Sequence, residues 1–140
     1  MIDIESAVYN AVVTAVETAY PNIACTSNEA AVLESLPALQ FREASNTVYK
    51  DSITLDCREN HARVMYQADI YTDGDKPLSK GIAAVVDNTM QSLGFVRTYD
   101  QSTPDAYLCR RTMRFEAAVS KGFTNGNTTT HYVFNIGGNS

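Results

Sequence analysis

From His61 to Thr72 the chain alternates. Val64, Tyr66, Ala68 and Ile70 fall on one side, and Arg63, Gln67 and Asp69 on the other. Successive side chains of a strand point to opposite faces, so this run reads as a strand with one buried and one wet face. Met65 and Tyr71 are the apolar exceptions on the wet side. Asp73-Gly74-Asp75 follows with turn chemistry, and Pro77 suits the first turn of a helix, where a missing N–H costs nothing. Ile82, Val85, Val86, Met90 and Leu93 then recur at helical spacing across residues 77–93, and Gly94 stands where a left-handed residue closes a helix. Two extended runs, 95–99 and 106–119, complete the unit. In the second, Tyr107, Cys109, Met113 and Phe115 share one face and Arg110, Thr112, Arg114 and Glu116 the other, while Arg111 breaks the apolar side.

The flanks read as elements that pack on this unit or project from it. Residues 3–20 carry Ile4, Val8, Ala11, Val12, Ala15 and Ala19 in a helical stripe, with Val13 and Val16 widening it towards a second buried side. Asp3 and Glu5 suit the positive end of that helix, and Pro21 ends it by restricting Tyr20. Residues 22–27 are β-compatible, with Ile23 and Cys25 on one side. Residues 29–36 fit a short helix capped by Ser27 or Asn28 and stopped by Pro37. Residues 38–43 alternate Leu39 and Phe41 against Gln40 and Arg42. The stretch 44–60 is polar apart from Val48, Tyr49, Ile53 and Leu55 and reads as a long excursion with a hairpin or strand extension. Residues 120–127 look like a linker, with Lys121-Gly122 and Asn125-Gly126 as turn signals, and 128–136 are β-prone. The division expected is therefore an α+β domain over 1–119, with two helices on one face of a mainly antiparallel sheet of four to five strands, and a C-terminal linker and extended arm over 120–140.

A chain of 140 residues suits one domain, and at that size roughly two thirds of the unfolded surface is buried, so one core suffices without staples. The net charge of −5 argues against a free-standing nucleic-acid binder, which normally carries a basic footprint. Asp3 and Glu5 stand where an export signal would be basic, and no apolar run approaches the roughly 20 residues of a membrane span. Three widely spaced cysteines, Cys25, Cys57 and Cys109, read as reduced thiols.

Chemistry-bearing patterns are sparse. Cys57 and His61 stand four apart, but no second ligand pair follows at a zinc-site spacing. Asp69, Asp73 and Asp75 surround a turn, yet a calcium loop needs a longer ordered set of oxygen ligands. No glycine-rich phosphate loop and no G-x-S-x-G elbow is present. Cys25 and Cys109 lie in apolar strand patterns, where cysteine behaves as a small hydrophobe. No catalytic residue, metal ligand or cofactor is expected. Arg97, Arg110, Arg111 and Arg114 cluster on the last two strands, and carboxylates at Glu43, Asp69 and Glu116 are expected on the same sheet. They read either as a solvated face of cross-strand pairs or as charge pairs between subunits.

Several segments together are similar to a known family. They are Val12-Val-Thr-Ala-Val16, Leu39-Gln-Phe41, Glu59-Asn-His-Ala62, Tyr66-Gln-Ala-Asp-Ile-Tyr71, Met90-Gln-Ser-Leu-Gly-Phe-Val-Arg97 and Arg110-Arg-Thr-Met-Arg-Phe-Glu116. In this order they resemble the tail terminator, or tail-completion, proteins of tailed bacteriophages, across most of residues 1–119. The resemblance implies a non-enzymatic virion protein of the tail and neck, assembled in the host cytoplasm. It implies a ring of identical subunits, a hexamer, that caps the tail tube and joins it to the head-side neck or stopper protein. DNA would pass through without specific binding, and no membrane is involved. Another neck or head–tail connector component is the neighbouring reading. A small cytosolic ligand-binding domain or enzyme, with a pocket under residues 44–60, is the reading from a different class. A ring subunit also needs surface for its partners. The best candidates lie outside the compact unit: Tyr49, Ile53 and Leu55 in the excursion, and Tyr132, Val133, Phe134 and Ile136 in the arm. The arm would either add a strand to a neighbour's sheet or add an edge strand to its own.

Overall fold

The computed structural model describes residues 4–27, 35–48, 61–74, 76–104, 108–125 and 128–135. The elements in order are α1 (Glu5–Ala19), β1 (Ala24–Thr26), β2 (Ala38–Val48), β3 (His61–Thr72), α2 (Lys76–Ser92), β4 (Val96–Pro104), β5 (Cys109–Asn125) and β6 (Thr128–Asn135). The fold is α+β. The sheet runs β1-β2-β3-β5-β4, antiparallel except for the parallel β1–β2 pair. β5 is long enough to carry two strands on one side: β4 pairs with Cys109 to Glu116, and β6 pairs from Ala117 to Asn125.

The alternation in β3 decides the layering. Val64, Tyr66, Ala68 and Ile70 are fully buried, together with Leu39 and Phe41 of β2 and Met113, Phe115, Ala117 and Val119 of β5. Both helices contribute to the same core: Val8, Val12 and Val16 from α1, and Ile82, Ala83, Val86 and Met90 from α2. Aromatic rings link the strands under the helices. Phe41 stacks on Tyr66 at 5.5 Å between centroids, and Tyr66 meets Phe95 edge-on at 5.4 Å. Offset and edge-on pairs of this kind add about 0.5–1.5 kcal/mol beyond their buried area. The Tyr66 hydroxyl is satisfied by donating to Glu43 at 2.9 Å.

α2 closes as its sequence predicts. Gly94 has φ +93°, its N–H donates to the Gln91 carbonyl, and the Phe95 N–H reaches back to Met90 at 3.0 Å. This paired closure satisfies carbonyls that the helix end would otherwise leave open. α1 departs from expectation. It buries the single row Ile4, Val8, Val12 and Val16, while Val13 is half-buried and Ala19 exposed. Among the described elements its main contacts are with α2 and β2, which cover one side of it.

The strands are longer than their apolar patterns. β2 runs on through Ala44 to Val48, the extension expected at the start of the excursion; residues 49–60, with Tyr49, Ile53 and Leu55, lie outside the described residues. Ser35 and Leu36 are bent rather than helical, and residues 28–34 of the expected short helix lie outside the described residues. β4 continues past Tyr99 to Pro104. Ser120 to Asn125, read as linker, is strand, because β5 continues past Val119 and β6 returns along it, Ala118 opposite Phe134 and Val119 opposite Val133. Thr128–Asn135 thus adds a strand to its own sheet; Ile136 lies outside the described residues.

Candidate functional site: the uncovered face of the sheet

The second face of the sheet carries no layer among the described residues. Its surface comes from the polar half of each alternation. Cross-strand partners share a face, so the register Gln40–Asp69–Thr112–Gln101 forms one row, and Arg42–Gln67–Arg114–Tyr99 forms the next. Tyr71 and Arg110 stand opposite each other in a third row.

Asp69 is the hub. It is 1 % exposed, enclosed by the side chains that converge on it. Thr112 donates to it at 2.7 Å, Gln67 at 3.1 Å, Arg110 at 3.2 Å and Arg42 at 3.3 Å. Burial pushes its carboxyl up, but the hydrogen bonds from Thr112, Gln67 and Arg110, with the Arg110 charge, outweigh burial and hold it below its ordinary value. The arginines are fixed from their other sides as well. Arg110 lies over the Tyr71 ring at 5.9 Å. Arg114 lies over the Tyr99 ring at 4.9 Å and donates to the Gln67 amide oxygen at 3.3 Å. Arg63 donates to Glu116 at 2.7 Å. The face therefore shows Arg42, Arg63, Arg110 and Arg114 against two carboxylates, Asp69 and Glu116, on a chain whose net charge is −5.

The four arginines singled out in the sequence do not form one cluster. Arg110 and Arg114 are on the uncovered face. Arg111 and Arg97 are on the helix side, where Arg111 meets Asp100 at 2.8 Å and Arg97 meets Asp87 at 3.3 Å and Asp100 at 3.8 Å. Alternation along β5 sets this partition, and a β-bulge between Arg97 and Tyr99 completes it by placing Tyr99 opposite Arg114 and Asp100 opposite Met113. Glu43 points to the helix side and serves Tyr66, apart from Asp69 and Glu116. Asp69 lies within a strand with its oxygens occupied, not in the Asp73 turn. Among the described residues no group of three or more His, Cys, Asp or Glu is placed to hold a metal ion.

Beside this face runs an edge. β4 has no second strand partner among the described residues, and its residues from Arg97 to Thr103 are exposed. β6 continues the same side of β5, with Asn135 opposite Ala117 where Val96 is opposite Glu116. Comparisons with known proteins return no matching family model and no matching curated protein.

Proposed function

We propose that the chain is a structural subunit of a tailed-bacteriophage particle. In this reading it is a tail terminator whose copies form a hexameric ring, cap the tail tube and join it to the head-side neck protein. The observation that carries the reading is the uncovered, arginine-bearing sheet face lying beside an open strand edge. An edge strand presents unpaired N–H and C=O groups to another chain. A rigid array of stacked arginines suits an interface, where arginine is enriched. The remainder of the chain is acidic, so the face and the rest of a second copy are complementary in charge, which favours head-to-tail contacts that close into a ring. The motif resemblance over residues 1–119 supplies the particular station, and a neighbouring place in the neck uses the same surfaces.

A ring that conducts DNA must not hold it, since every phosphate neutralised by Lys or Arg adds salt-dependent affinity. The arginine face therefore meets a neighbouring subunit or the outer wall, and the lumen is neutral to acidic. The test is electron microscopy and sedimentation of the purified chain with and without tail tubes of the parent phage. Sixfold rings seated on tube ends are the expected result. A chain that stays monomeric at high concentration and leaves tube ends bare, or one that binds DNA tightly at moderate salt, overturns the proposal.

A further inference from the structure

Arg111 interrupts the apolar side of β5, and the structure gives it a cavity. A pocket of about 240 Å³ opens between the start of α2 and the β4–β5 pair, lined by Lys76, Ser79, Lys80, Ser102, Cys109 and Arg111. Ser79 is 2 % exposed, and its hydroxyl has no hydrogen-bond partner; the Arg111 Nε is likewise enclosed and unpaired. A buried hydroxyl or guanidinium N–H left without an acceptor costs free energy, and native structures seldom retain one without a reason. Both residues line the cavity, and each carries an enclosed donor without an acceptor.

We propose that this cavity binds the phosphate group of a small ligand. α2 has 17 residues and points its N-terminal end here, where the helix dipole favours an anion. Lys76, Lys80 and Arg111 bring three positive charges. Among the described residues, the carboxylate paired with these cations is Asp100, which accepts from the Arg111 Nη2 at 2.8 Å and also lies 3.8 Å from Arg97. The cations here outnumber it, which favours a doubly charged phosphate over a singly charged carboxylate. Ser79 and Ser102 add hydroxyls, and Ser102 sits directly opposite Arg111 in the register, 3.5 Å from the Cys109 sulfur. The volume exceeds that of inorganic phosphate, so a compact phosphomonoester also fits. The ring reading does not require this cavity.

The experiment is an ¹H–¹⁵N NMR titration of the full chain with inorganic phosphate, glycerol 3-phosphate, acetate and chloride at matched ionic strength. Saturable shifts at Ser79, Lys80, Ser102 and Arg111 with both phosphates, at least about tenfold tighter than with acetate, are expected. Tighter binding of glycerol 3-phosphate than of phosphate assigns the ligand as a monoester, and equal binding assigns it as the free ion. Arg111→Gln and Lys80→Gln should each weaken phosphate by about tenfold while leaving the thermal melt in place. Lys80 is exposed, so its variant reads the site even where Arg111→Gln fails to fold. Shifts that do not saturate, that chloride reproduces, that acetate exceeds, or that survive Lys80→Gln overturn the proposal.

Discussion

Replacing Asp69 by Asn tests whether the uncovered face is a built network or a solvated surface. The carboxylate accepts on both oxygens: Thr112 and Arg110 on one, Gln67 and Arg42 on the other. An amide offers one oxygen and turns the other position into a donor. With the oxygen towards Arg110, the amide N–H₂ meets Arg42 and Gln67. Gln67 cannot simply flip to accept it, because its oxygen already serves Arg114. With the amide reversed, Thr112 can rotate to accept but Arg110 loses its partner. At least one charge-assisted bond is lost either way, worth about 1.5–3 kcal/mol before solvent is considered. Arg42 and Arg110 have side chains 19 % and 47 % exposed, so water recovers part of this, leaving about 1–2 kcal/mol, or roughly 5 °C in Tm. The sign of the pH dependence follows from the lowered carboxyl. The contribution is fully present above the unfolded value of about 3.9 and disappears as pH falls through the lower folded value. Urea denaturation followed by circular dichroism at pH 7 and again at about pH 3 reads both. Wild type and Asp69→Asn should differ at neutral pH, and the gap should narrow in acid. A loss below about 0.5 kcal/mol for Asp69→Asn at pH 7, or a gap that persists unchanged in acid, would refute the network reasoning.

Gly81 faces α1, where an added methyl would overlap the Tyr20 hydroxyl; Gly81→Ala alone should be neutral to destabilising by about 1 kcal/mol despite its better helix propensity. In a Tyr20→Phe background the same change should stabilise by about 0.5–1 kcal/mol, and a denaturation double-mutant cycle that proves additive would sink the contact. Burial, followed by the Glu17 charge, pushes the Cys25 thiol up to about 11. Its alkylation at pH 8, followed by peptide mass spectrometry, should therefore run roughly two orders of magnitude slower than that of an ordinary thiol, and Glu17→Gln should recover part of the rate. Truncation after Asn125 removes β6 but leaves the β3 pairing of Ala117 and Val119 intact, so a cooperative melt should survive with Tm lowered by less than about 10 °C. Ring formation and tube capping should be lost; disappearance of the cooperative transition would place β6 in the subunit's own core instead.

What could be read in the sequence follows from how each element is covered. β3 and α2 are covered on one side and wet on the other, so their periods of two and 3.6 stand out, and Gly94 marks the end of α2 directly. β4 has no such contrast. From Arg97 to Thr103 it is exposed, and an edge strand wet on both sides shows no alternation past Tyr99. The end of β5 was hidden for a related reason: Lys121 and Gly122 carry turn chemistry, yet pairing with β6 holds the backbone extended, a tertiary effect that local propensity does not contain. β1 is a three-residue strand held by parallel pairing to β2, too short for any pattern. The bulges after Glu43 and Arg97 shift register by one residue, and nothing in the residue types at those positions announces it.

The residues that break a pattern proved more informative than those that keep it. Arg111 stands at an inward position of a strand whose neighbours Cys109, Met113 and Phe115 are buried. A charge there is costly unless something satisfies it, and Asp100 occupies only one of its nitrogens. That mismatch was visible in the sequence; its pairing with the enclosed hydroxyl of Ser79 was not, because Ser79 and Arg111 come to line one cavity only when α2 folds over β5. Asp69 is the opposite case. Its place on the polar side of β3 looked unremarkable, since Asp on a wet face needs no partner. Only the register that sets Thr112 beside it, with Arg110, Gln67 and Arg42 converging, turns a surface carboxylate into a buried one. Patterns along one strand reveal which face is wet. Which polar groups on that face become a site is decided across strands, by pairings the chain specifies only once it is folded.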